Sequence, residues 1–195
     1  MGQLILNNMD SIPTFRNQLL IAMPAMRDPQ FTHTVTLVCQ HDEEGAFGLT
    51  INRPTDLKLQ ALMQQLDIEL EDEQLQKQLV LSGGPVQTEQ GFVLHDSHHP
   101  WESTMRVADD LFITSSKDIL VDIAKGQGPE YFLLVLGCSG WEAGQLEQEI
   151  KDNVWLTCPA THELIFTMPY PHRWRGAAAT LGVDVNLLGV TAGHA

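Results

Sequence analysis

The chain has 195 residues and a formal net charge of −14, from 25 acidic against 11 basic side chains. At 43% hydrophobic and 18% charged residues it is not a disordered chain, and its length lets one domain bury roughly 70% of its unfolded surface without a metal or disulfide staple. Three cysteines with no C-x-x-C spacing argue against a disulfide framework or a structural zinc, and the acidity argues against direct nucleic-acid binding, which needs a basic patch for its phosphate contacts.

Residues 1–17 read as a loosely ordered N-terminal lead-in, and 18–195 as one domain, because no linker, repeat or break in composition interrupts it. The first residues lack a basic region ahead of an apolar run, so they do not read as a signal peptide. No apolar run approaches the ~20 residues of a membrane helix. A cytoplasmic protein without membrane contact is expected.

Leu19–Ala22, Val35–Val38 and Ala46–Ile51 are short apolar runs punctuated by Pro24, Asp28, Pro29 and the turn His41–Gly45. They read as three strands, central to a sheet. Asn52-Arg53-Pro54 ends the third strand. An arginine there suits bidentate contact with a carboxylate, in a ligand or in the protein itself. Leu59, Leu62, Met63 and Leu66 fall on one helical stripe, with Thr55 or Asp56 as the cap. The acids of Glu69–Glu73 read as a solvated loop or helix start.

Leu79–Ser82 is a strand that runs into Gly83-Gly84-Pro85. Gly91–His95 is another, ending in His-Asp-Ser-His-His. His95, Asp96, His98 and His99 are of the metal-ligating type, but a strand-end loop is the better reading, and no metal is assigned. Thr104–Val107 and Leu111–Thr114 read as a hairpin. Ser115 opens a capping box with Asp118, and Ile119, Leu120, Ile123 and Ala124 form a helix stopped by Gly126.

Tyr131–Leu136 is continuously apolar, the pattern of a strand buried on both faces. It leads into Gly137–Gln145, read as a glycine-rich turn, and then a helix with Leu146 and Ile150 inward and Glu147, Glu149 and Lys151 outward. Free backbone N–H groups at such a junction can hold an anion. The glycines nevertheless match neither a Walker A loop nor a dinucleotide fingerprint, and Glu142 would repel phosphate. Ser139 sits in Gly-x-Ser-x-Trp, which lacks the last glycine of a nucleophile elbow. Trp141 is either a core plug or the apolar wall of a site. Cys158 is a candidate reactive thiol if it is partly exposed near a helix N-terminus. Trp155–Cys158 and Leu164–Thr167 read as extended pieces, and Trp174, Ala177, Ala178 and Leu181 as the stripe of a last helix closed by Gly182. The tail DVNLLGVTAGHA is apolar enough to dock.

LLIAMPAMRDPQF, HDEEGAFGLTINRP, GGPVQTEQGFVLH, GCSGWEAGQLEQEI and NVWLTCPA occur in that order. Together they resemble the YqgE/AlgH family of bacterial proteins, over nearly the whole chain. The resemblance implies an α+β fold: a single domain with a mixed, partly barrel-like β-sheet flanked by about four helices. It also implies a cytoplasmic location and, for some members, a label as regulators of alginate genes. It brings no catalytic residue and no cofactor. The motif positions give a candidate ligand or partner surface: Asn52, Arg53, Gly83, Gly84, Pro85, His95, Gly140, Trp141, Gly144 and Gln145. The expected function is a non-enzymatic binding or regulatory protein for a protein or small ligand. The alternatives are a small enzyme or redox-responsive protein using Cys158, and an anion-binding protein using the Gly137–Gly144 loop.

Overall fold

The computed structural model describes residues 14–184. Its strands are β1 (Gln18–Ala22), β2 (Val35–Asp42), β3 (Gly45–Thr50), β4 (Pro54–Lys58), β5 (Leu79–Ser82), β6 (Val86–His95), β7 (Thr104–Ala108), β8 (Leu111–Thr114), β9 (Phe132–Glu142) and β10 (Trp155–Pro159). The helices are α1 (Leu59–Gln65), α2 (Glu73–Gln76), α3 (Asp118–Ala124), α4 (Gln145–Lys151), a π-helical turn (Glu163–Thr167) and α5 (Tyr170–Ala179). The strands form one sheet in the order β10-β1-β2-β3-β9-β6-β8-β7, with β5 also against β9 and β4 against β5. The β5–β9 pairing is parallel. The remaining pairings are antiparallel. The result is a single α+β domain whose sheet curls into a half-barrel.

Side chains alternate across each strand, so each face of the sheet gathers its own apolar set. The inner face holds Leu19, Ile21, Leu37, Leu49, Leu81 and Val135, covered by Trp174, Ala177 and Ala178 of α5. The outer face is covered in two patches. Val80, Val93 and Leu134 lie under α1 and α3. Leu20, Val38, Trp141 and Trp155 lie with Leu146 of α4.

β9 joins the two halves, because it pairs with β3, β5 and β6. It is longer than the run Tyr131–Leu136 suggests. Gly137, at φ +75, kinks the strand without ending it. Before the kink, Leu133 and Val135 face the inner core; after it Cys138 does, and Trp141 faces out. A left-handed glycine thus shifts the alternation by one residue, as a bulge does. Gly137–Glu142 is therefore strand rather than turn, paired through Ser139↔Gly48 and Trp141↔Ala46.

Other local expectations also change. The first three strands are contiguous and interior, but the hub of the sheet is β9. Thr55 and Asp56 lie in strand β4, and α1 begins after Lys58 with no side-chain cap. The Thr55 hydroxyl bonds the Val80 carbonyl across to β5 instead. Ser116, not Ser115, bonds the Asp118 carboxylate at the start of α3. Leu164–Thr167 has β-branched composition but forms a π-helical turn that leads through Pro169 into α5. Leu181 is 40% exposed, beyond the end of α5. Thr14–Asn17 is anchored: the Phe15 N–H donates to His41 Nδ1 and the Asn17 N–H to the Val38 carbonyl. The tail expected to dock and the first part of the lead-in lie outside the described residues.

Candidate functional site

Four of the candidate residues, Pro85, Gly140, Trp141 and Gln145, line one cleft of about 520 Å³. Its floor is the outer face of β9 after the Gly137 kink. One wall is the loop between β1 and β2, through Met26, Arg27, Asp28 and Phe31; another is α4 with the start of β10, through Glu149, Val154 and Trp155. Gly140 lines the cleft through its backbone; its strand partner Phe47 packs on the inner core, so a side chain at this position would point to the opposite face. The volume lies in the range of small-molecule pockets.

The rings form a T-shaped series. Phe31 meets Trp155 at 5.6 Å and 85°, and Trp155 meets Trp141 at 6.4 Å and 77°. Glu149 holds them together. Its Oε2 accepts the indole N–H of Trp141 at 2.9 Å and that of Trp155 at 2.8 Å, and its Oε1 accepts from Gln145 Nε2 at 2.9 Å. Charge-assisted bonds of this kind are about twice as strong as neutral ones. Glu149 thus turns inward, against the expectation that it faces solvent. Gln145 also closes the turn, its Oε1 accepting the Glu142 N–H at 2.9 Å. Gly144, at φ +76, precedes the first residue of α4.

Ser139 lines the same cleft at 2% exposure, and its hydroxyl has no hydrogen-bond partner. A buried hydroxyl left in this state costs about 1–3 kcal/mol. No base touches it, so Ser139 is not activated as a nucleophile. Arg27 on the rim is exposed and makes no ion pair or hydrogen bond among the described residues.

The other candidates go elsewhere. Asn52 and Arg53 fasten the β1–β2 loop: the Asn52 carboxamide accepts from the Val35 N–H and donates to the His33 carbonyl, and Arg53 donates to the Pro29 and Gln30 carbonyls. Arg53 thus binds carbonyls rather than the expected carboxylate. Gly83 and Gly84 pack on β9 so closely that a Cβ would lie 2.2 Å from the Gly137 oxygen and 2.3 Å from the Cys138 oxygen. They set the approach of two chain segments, Gly83 buried and Gly84 half-buried.

His95 is fully buried, so it is no surface contact. It shares a hydrogen bond of 2.8 Å with Thr114 between Trp101 and Phe112, and burial pulls its pKa down to about 4. Its neighbours find separate partners: His98 pairs with Asp110 at 3.0 Å, and Asp96 lies near His162 at 3.6 Å. Cys158 is fully buried in β10, and desolvation raises its pKa. This opposes a reactive thiolate. Cys39 and Cys138 are also buried and raised in the same way. The glycine-rich anion loop is corrected too, since residues through Glu142 belong to a strand and α4 has only 7 residues.

Arg27, Glu149 and Trp155 lie within the family motifs, but no local signal placed them in one site with Trp141. Strand β10 and helix α4 are separate segments that only tertiary packing brings against Trp141.

A family model described as AlgH-like matches residues 19–186. A UPF0301 protein of Thioalkalivibrio sulfidiphilus is 49% identical over 187 residues, covering 96% of this chain and 100% of its own. A UPF0301 protein of Alcanivorax borkumensis is 47% identical over 187 residues, covering 96% and 99%. The solution structure of the AlgH protein from Pseudomonas aeruginosa matches with a TM-score of 0.76 and 47% identity over 100% of both chains. A crystal structure of a Corynebacterium diphtheriae protein, 20% identical over 93% of this chain and 95% of its own, has a TM-score of 0.70 and shares the fold. No helix among the described residues is long and apolar enough to cross a membrane.

Proposed function

The chain belongs to the AlgH-like family, and from that premise we propose that it is a non-enzymatic, cytoplasmic binding and regulatory protein that recognises a protein or small ligand in the cleft above Ser139. The observation that carries this reading is the cleft itself, of small-molecule size and walled by the rings of Phe31, Trp141 and Trp155. Rigid aromatic walls supply contact area at little loss of conformational freedom. The enzymatic alternatives draw no support: Ser139 has no base beside it, and the Cys158 thiol is buried with a raised pKa. Direct DNA binding is opposed by the net charge of −14.

Arg27→Glu tests the reading, because it reverses an exposed charge on the rim of the cleft that has no ion pair or hydrogen bond among the described residues. Cell extract is passed over immobilised wild type and variant, and the retained proteins and metabolites are identified by mass spectrometry. The expected result is a specific retained set that the variant loses at an unchanged melting temperature. Equal retention by both proteins sinks the proposal.

A further inference from the structure

A second cleft, of about 570 Å³, opens between the β1–β2 loop, the β3–β4 junction and the first turn of α5. Its ten lining residues include no Asp or Glu, in a chain with 25 acids against 11 bases. They do include His33, Arg53, His172 and Arg175. A third arginine stands behind them. Arg173 is 2% exposed, and its guanidinium lies 4.5 Å from the centre of the Tyr170 ring, which lines the cleft.

None of these three arginines pairs with a carboxylate among the described residues. Arg173 donates to the Met168 and Ile51 carbonyls, and burial pulls its pKa down to about 10. Arg53 donates to two loop carbonyls, which position its guanidinium but leave its charge uncompensated and some of its five N–H donors unused. Arg175 makes no ion pair or hydrogen bond among the described residues. A buried cation without a counter-ion is unfavourable, and an anion placed beside it offsets that cost. The N-terminus of α5 adds the positive end of its dipole.

We propose that this cleft binds a small phosphate-bearing ligand, with Arg53 and Arg175 as the groups that hold the phosphate. Three uncompensated arginines match a phosphate, with its ~1.5–2 negative charges, better than a single carboxylate. The guanidinium fork suits its oxygens. The site is concave and of small-molecule size, which favours a free phosphorylated compound over a nucleic-acid backbone. This inference stands on different residues from the Ser139 cleft and does not depend on it.

The test is calorimetry on the full chain with inorganic pyrophosphate, with citrate and a single-stranded oligonucleotide as comparisons. Arg175→Glu reverses an exposed charge that has no partner, so its melting temperature is expected to hold; Arg175→Ser and His172→Ser serve if it does not. Saturable pyrophosphate binding is expected, weakened by about tenfold or more in Arg175→Glu, as the loss of a charge-assisted hydrogen bond entails. No saturable binding to wild type overturns the proposal, as does equal affinity in the variants. Citrate bound as tightly as pyrophosphate overturns the choice of phosphate. Retention of the oligonucleotide without pyrophosphate overturns the choice of a small ligand.

Discussion

Trp141 is 7% exposed, packs with Leu20, Val38 and Leu146, and still walls the cleft. Plug and wall are therefore two faces of one ring. Its N–H and that of Trp155 converge on Glu149, so the carboxylate fixes both rings at once. Trp141→Ala removes this packing and leaves part of Glu149 unpaired. A loss of ~3–5 kcal/mol is expected, as for other buried aromatic truncations, read from urea unfolding against wild type. An unchanged unfolding curve would mean that the ring is only a wall. Much of this was legible at the level of residue type: a tryptophan between glycines reads as an anchor. Its hydrogen-bond acceptor was not legible, because Glu149 sits on the helix pattern's outward face in the sequence. Only the packing of α4 against β10 turns it inward. His95 reads the opposite way. Its place in a histidine-rich strand end suggests a surface, whereas its hydrogen-bond partner Thr114 on the neighbouring strand and two rings enclose it.

At the level of elements, the cleft depends on the kink in β9. Leu79–Ser82 and Leu111–Thr114 emerge from the sequence with the bounds they have in the fold, because each is a compact apolar run between turn residues. Gly137-Cys138-Ser139-Gly140 has no such composition. It is strand because β3 pairs with it, Phe47 opposite Gly140 and Gly48 opposite Ser139. Pairing partners override weak strand propensity, and no local signal announces them. The same holds for β4, whose polar residues alternate along an outer strand paired with β5. Gly137→Ala tests the kink. At φ +75 the added Cβ would also lie 2.7 Å from the Gly84 oxygen. A cost of about 1–3 kcal/mol is expected for the strained backbone, with faster hydrogen exchange at the amides of Ser139–Trp141. Full stability in the variant would show that the phase shift does not need a glycine.

Across the whole molecule, the β1–β2 loop borders both clefts: Met26, Arg27, Asp28 and Phe31 face one, Thr32, His33 and Thr34 the other. Asn52 and Arg53 fasten that loop to the end of β3 and the residues after it. The sequence motifs around Asp28, Asn52 and Gly140 are thus neighbours through one loop, although they are far apart in the chain. The cleft at α5 is free of acids in a strongly acidic chain; its basic run His172–Arg175 is contiguous in the sequence, but only the fold brings Arg53, from the β3–β4 junction, beside it. The central claim remains the Ser139 cleft. The three cysteines are buried with raised pKa values, so Arg27→Cys introduces one accessible thiol at the rim of the cleft. The most direct measurement attaches a photo-crosslinker to that thiol, irradiates the protein in cell extract, and compares it with the same label at the exposed position of Glu130→Cys. A defined adduct at position 27 and none at position 130 is the expected result; the same adducts at both positions, or none at 27, would contradict the account.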